Sequence, residues 1–154
     1  MTIRDSSLEG EGGFSIKLEF WWHIQFPNEI VQHTLLFRDI PLVSINVLEY
    51  VTIIINYIVA LYVLQTTNVT DDPYLVLLNI TDNSSALSWT LHTCKRSRIG
   101  HLLGRFFYSF LINSLLSINS QWISTINNKI ANGISRIKSN ILTPFQLLIL
   151  IIPL

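Results

Sequence analysis

The sequence holds one cysteine, Cys94, in 154 residues, so no disulfide forms within the chain and no cysteine cluster is present to hold zinc. Charge is also scarce, at 13% of residues against 49% hydrophobic. That balance excludes a disordered chain and leaves a folded α/β domain or a membrane protein. There is no Gly-x-Ser-x-Gly elbow and no Walker-type phosphate loop, which removes two common hydrolase signatures. His23, His33, His92 and His101 show no metal-ligand spacing with Cys94 or with one another. The opening Met1-Thr2-Ile3-Arg4-Asp5 has no apolar signal core, so the Asn-x-Ser/Thr triplets at Asn68, Asn79 and Asn83 read as chance.

A further absence is positional, because no acid follows Asp82. Residues 1–82 hold three Lys or Arg against ten Asp or Glu, net −7, and residues 83–154 hold seven Lys or Arg and no acid, net +7. Such a split points to an acidic site and a basic surface in one fold, the pairing a metal-dependent nucleic-acid enzyme needs. Lys95, Arg96, Arg98 and Arg105 form the densest basic cluster and are the candidate phosphate contacts.

Two apolar runs raise the membrane question. Tyr50 to Thr70 has no Asp, Glu, Lys or Arg, but its apolar part is shorter than the roughly 20 residues a bilayer needs, and Asn56 interrupts it. Apolar side chains recur at Val47, Leu48, Val51, Ile54, Ile55, Ile58, Leu61 and Tyr62, which predicts a helix with one buried face. The run Phe145 to Leu154 is shorter still and suits a cover over a core edge or a shallow membrane contact. A small membrane-associated protein therefore stands as one alternative.

Length predicts one domain. Met1 to Asp5 makes a brief strand, Ser6 to Gly13 a polar glycine-rich loop, Phe14 to Phe20 an alternating strand, and Trp21 to Ile24 its antiparallel partner. Pro27 ends that pairing, and a loop runs to Ser44, the N-cap of a helix bearing Glu49. Asp71-Asp72-Pro73 reads as a turn, Tyr74 to Ile80 as a buried strand ending at Asp82, and Ser84 to His92 and Ile99 to Leu116 as helices. Gln121 to Ser124 reads as a strand and Asn128 to Ile137 as a last helix. The order βββαβααβα predicts an α/β fold, and such sheets bind ligands outside the carboxyl ends of their strands. Asp5 and Asp82 both fall at such ends.

At these residues the chain resembles the ribonuclease H domain of retroelement polyproteins. Asp5-Ser6-Ser7, Gly12-Gly13-Phe14-Ser15 and Phe20-Trp21-Trp22 look like its first motif. Ile45 to Tyr50 is similar to the helix motif, with Glu49 as second acid, and Thr81 to Trp89 to the third motif, with Asp82 as third acid. Asn128 to Arg136 looks like the closing motif, with Asn132 where the family has its fourth carboxylate. The resemblance covers about residues 2–138 and leaves 139–154 as an apolar tail.

It implies a ribonuclease H-like mixed sheet, three antiparallel strands then parallel ones, with helices on both faces. It also implies two magnesium or manganese ions held by Asp5, Glu49 and Asp82, an RNA–DNA hybrid as substrate, a reverse transcriptase domain in the same polyprotein, and an intracellular setting in cytoplasm or nucleus. The departures mark a truncated, degenerate copy. Strand one is short, Arg4 stands where a central strand is normally apolar, Asn132 brings no charge, and Gly133 weakens its helix by about 1 kcal/mol relative to alanine. A catalytically dead nucleic-acid-binding remnant is therefore the second alternative. Trp21, Trp22, Trp89 and Trp122 are expected to pack in the core.

Overall fold

A glycine-rich stretch expected as loop forms a strand instead. The protein was analysed as a computed structural model, which describes residues 1–6, 10–36, 43–67, 75–92, 94, 97–114, 116–136 and 148–151. Its first strands are β1 (Thr2–Ser6), β2 (Gly10–Ser15) and β3 (Phe20–Gln25). The continuous strand expected over Phe14 to Phe20 is broken by a turn. The Ser15 hydroxyl accepts from the Leu18 amide at 3.1 Å, and Glu19 takes a left-handed φ of 53°. A side chain that satisfies its own backbone neighbours competes with the ladder, and here it wins.

The expected loop after Pro27 is also corrected. Helix α1 (Asn28–Leu36) starts there, with the Ile30 and Val31 amides donating to the Pro27 carbonyl. Proline suits a helix start because its missing N–H has no intrahelical partner to lose. Helix α2 (Ile45–Thr66) begins as the sequence predicts, with Ser44 accepting from the Val47 amide. Beyond it lie β4 (Val76–Thr81), α3 (Ser84–Leu91), α4 (Arg98–Ile112), β5 (Ser117–Trp122), a 3-10 turn (Thr125–Asn127), α5 (Lys129–Ser135) and β6 (Leu148–Ile151). Asn83 and Ser97 cap α3 and α4 through the Ala86 and Gly100 amides. The expected turn at Asp71-Asp72-Pro73 lies outside the described residues.

The sheet runs β5-β4-β1-β2-β3-β6. Pairing is antiparallel from β1 through β2 and β3 to β6, and parallel from β1 to β4 to β5, which makes a mixed α/β fold. Strand β5 starts four residues before the expected Gln121, since its alternation of Ser and Asn with a single Ile gives a weak apolar signal. The apolar C-terminal segment supplies β6, which lies along β3.

Helix faces follow from β2. Glu11 accepts a hydrogen bond from Thr52 of α2, whereas a Cβ at Gly12 would come within 2.5 Å of Ile134 Cγ2 on α5. Successive strand residues point to opposite faces, so α2 and α5 cover opposite faces of β2. Gly12 is glycine because α5 sits where its side chain would be.

Helix α2 is not the one-sided helix its spacing predicts. Ile58 and Tyr62 of the expected stripe are exposed, while Tyr50, Ile53, Tyr57 and Ala60 are fully buried together with Thr52 and Asn56. The reason is that α2 is packed on two sides. The sheet takes Thr52 and Asn56, and α3 and α4 take Tyr50 and Tyr57 through edge-on contacts with Trp89 and Phe107 at 5.6 and 5.5 Å. By length and composition α2 is the one described helix able to cross a membrane, yet 72% of its most apolar window is buried inside the protein.

A buried polar chain ties these layers together. Trp22 Nε1 donates to Asn56 Oδ1 at 2.9 Å, Asn56 Nδ2 to Asn79 Oδ1 at 3.3 Å, and Asn79 Nδ2 to Ser120 Oγ at 3.2 Å. It runs from β3 through α2 to β4 and β5. Buried amides persist only when partnered, so this chain fixes how α2 lies on the sheet.

Candidate functional site

Two of the three candidate acids lie on, or directly after, two neighbouring parallel strands. Strand β1 lies parallel to β4 with Thr2 opposite Asn79 and Ile3 opposite Ile80. Asp5 lies two residues beyond Ile3 on β1, and Asp82 two residues beyond Ile80, just past the last residue of β4. Asp5 itself faces Gly12 across the antiparallel pair. Glu49 comes from the opening turns of α2, which packs on β1, β2 and β4, and it is only 4% exposed. Asp82 is half-buried. Among the described side chains, no three His, Cys, Asp or Glu come together in a group able to hold a metal ion.

Asn132, at the degenerate fourth position, lies on α5, which packs against β1, β2 and β3. Its amide nitrogen donates to the Thr125 carbonyl at 3.3 Å. Beside it Gly133 faces open space. Of the basic cluster, Arg98 and Arg105 are exposed on α4 with His101 between them, and Lys95 and Arg96 lie outside the described residues. Positions 98, 101 and 105 share one side of a helix.

Two further buried polar residues lie on opposite faces of the sheet, Glu11 under α2 and His23 under α5. Glu11 is 1% exposed, and Thr52 donates to its Oε2 at 2.6 Å. Thr52 lies three residues after Glu49, one turn along the same side of α2, so two buried carboxylates are set at the α2–sheet contact. The signal was available in Gly10-Glu11-Gly12: had these residues been read as strand, period two would have turned Glu11 inward.

The second is His23, 1% exposed. Its Nε2 lies 3.1 Å from where a Cβ on Gly10 would stand, a point also 3.2 Å from the Ser135 carbonyl at the end of α5. Burial holds the imidazole below its ordinary value of 6.5, and the Ser135 backbone pulls weakly the other way. The unfolded chain therefore takes up this proton first. Stability from neutral His23 is complete above pH 6.5 and falls as pH drops below it, until the folded imidazole also titrates. Urea unfolding at pH 7.5 and 5.5 is expected to show that loss in the wild type and a smaller one in His23→Gln. Equal losses in the two proteins would remove His23 from the account.

Of the four tryptophans, Trp22 is buried and Trp21 and Trp89 are half-buried, but Trp122 is 58% exposed, against the expectation of core packing. It ends β5, which lies at one edge of the sheet formed by the described strands. Its Nε1 donates to the Asp82 carbonyl at 3.1 Å.

Compared with protein-family models, with curated proteins and with solved structures, the chain finds no match in any of the three.

Proposed function

We propose that the chain is a ribonuclease H-like domain of retroelement origin that cuts the RNA strand of an RNA–DNA hybrid, with Asp5, Glu49 and Asp82 as its acidic centre. The observation that carries this reading is the parallel pairing of β1 with β4, beyond which Asp5 and Asp82 each follow two residues on, while Glu49 rides on the helix packed against β1. The run β5-β4-β1-β2-β3, in which β1, β2 and β3 are antiparallel and β4 and β5 parallel to β1, supports it, with β6 added as a sixth strand beyond β3, as do α2 and α5 on opposite faces.

An all-carboxylate set matches the oxygen preference of magnesium and manganese, so Asp5, Glu49 and Asp82 would hold these ions. When bound, two such ions would supply an activated water and neutralise the leaving oxygen of a phosphodiester. The chain's own part is positional: the β1–β2 ladder holds the backbone at Asp5, Asp82 follows directly on the end of β4, and packing buries Glu49. Arg98 and Arg105, with Lys95 and Arg96 ahead of them, would give salt-dependent, sequence-independent grip on phosphates. The setting that fits this substrate is intracellular, cytoplasm or nucleus.

A second reading, a dead nucleic-acid-binding remnant, is favoured by Asn132, whose amide brings no charge and donates to Thr125. Purified protein incubated with labelled hybrid in magnesium or manganese separates the two. The nuclease reading expects shortened RNA, and Asn132→Asp is expected to raise the rate at least tenfold, the scale on which ligand charge governs metal affinity. Hybrid binding without cleavage in either protein favours the remnant. Neither binding nor cleavage overturns both.

A further inference from the structure

We propose that Trp122 is a nucleic-acid contact, its indole face taking the sugar of the nucleotide next to the phosphate served by Asp82. This rests on the reading above. The indole's single polar atom is already used, since Nε1 donates to the Asp82 carbonyl at 3.1 Å. What remains is an apolar ring, more than half exposed, fixed beside a candidate acid. The backbone under it is fixed as well. Trp122 is paired with Thr81 across the β4–β5 ladder, and the Ile123 amide donates to the Thr81 carbonyl at 2.8 Å.

Exposed large apolar side chains are common, but one tethered through its only donor to the main chain of a site residue is pre-organised. A ring with two side-chain torsions, already held, loses little freedom when it meets a ligand. In a duplex each base face is covered by its neighbours, so an indole beside the backbone meets the sugar edge, which the shallow minor groove of an A-like helix displays. Indole faces also accept the apolar side of sugars and bases without regard to sequence, which suits a site that acts at any position.

The test uses the full chain labelled with 5-fluorotryptophan, its resonances assigned through Trp122→Phe, and titrated with a short RNA–DNA hybrid in calcium to prevent cleavage. The Trp122 fluorine signal is expected to move while that of buried Trp22 stays. In fluorescence anisotropy, Trp122→Phe, which keeps a ring, should bind within about threefold of wild type, and Trp122→Leu about tenfold more weakly, as expected for loss of one stacked ring face. If Trp122→Leu fails to fold, which the Trp22 signal reports, the wild-type shift alone decides. Hybrid that binds with the Trp122 signal unmoved overturns this assignment and leaves the nuclease reading standing. Hybrid that does not bind at all overturns both.

Discussion

Asp82→Asn is expected to lower hybrid cleavage on the order of a thousandfold and to leave the fold in place. The two effects separate because the neighbours of Asp82 use its main chain. Trp122 donates to its backbone carbonyl, and the N-cap of α3 is the next residue, Asn83, whose own side chain accepts from Ala86. Asparagine keeps the shape of the side chain and removes only its charge, which is what a divalent ion requires. Binding of the hybrid in calcium should hold or tighten slightly, since one negative charge fewer faces the phosphates. Single-turnover cleavage by the variant within about tenfold of wild type would take Asp82 out of the centre.

The largest structural effect is expected from Asn56→Leu. Leucine is close in volume and suits a helix interior, so the change isolates the polar contacts. It leaves the Trp22 indole N–H and the Asn79 carbonyl oxygen without their partner, both in side chains with no solvent exposure. Each buried orphan costs about 1–3 kcal/mol, so the variant should lose roughly 2–6 kcal/mol. For a domain whose whole stability is on the order of 5–15 kcal/mol, that is a large fraction. Denaturant titration followed by tryptophan fluorescence measures it. A loss below about 0.5 kcal/mol would mean the chain of amides does not hold α2 to the sheet.

Local chemistry was legible in part. Ser44 caps α2 as its position before an apolar run predicts, while the caps of α3 and α4, Asn83 and Ser97, were not read from the sequence. The strand leading to Asp82 is visible as the apolar residues Val76, Leu77, Leu78 and Ile80, with Asn79 as their one polar neighbour before Thr81. What misled was alternation without a turn signal: Phe14 to Phe20 has period two, but the Ser15 hydroxyl and a left-handed Glu19 turn the chain there. Glycines misled in the opposite sense. Gly10 and Gly12 read as loop, yet they are strand residues stripped of side chains so that α5 and β3 can approach.

The site was legible as a set of acids and not as a neighbourhood. Nothing in the spacing of Asp5, Glu49 and Asp82 reveals that β1 lies beside β4, because parallel pairing joins residues nearly eighty positions apart. The inward turn of Glu11 depends on tertiary pairing in the same way, as does the outward position of Trp122, which follows from β5 lying at one edge of the sheet formed by the described strands. Helix spacing alone could not say that α2 would be covered on two sides, and for that reason its expected stripe missed Tyr50, Ile53 and Tyr57.

The central claim is that three carboxylates distant in sequence share one place. Paramagnetic broadening by manganese reads that place directly, in amide spectra of the protein titrated with substoichiometric Mn²⁺ and no nucleic acid. The amides of Asp5, Glu49 and Asp82 are expected to broaden together, at one manganese concentration and ahead of other amides, and to stay sharp in Asp82→Asn. Broadening that takes these three amides at different concentrations, or that spares them while other acidic residues respond, would contradict it.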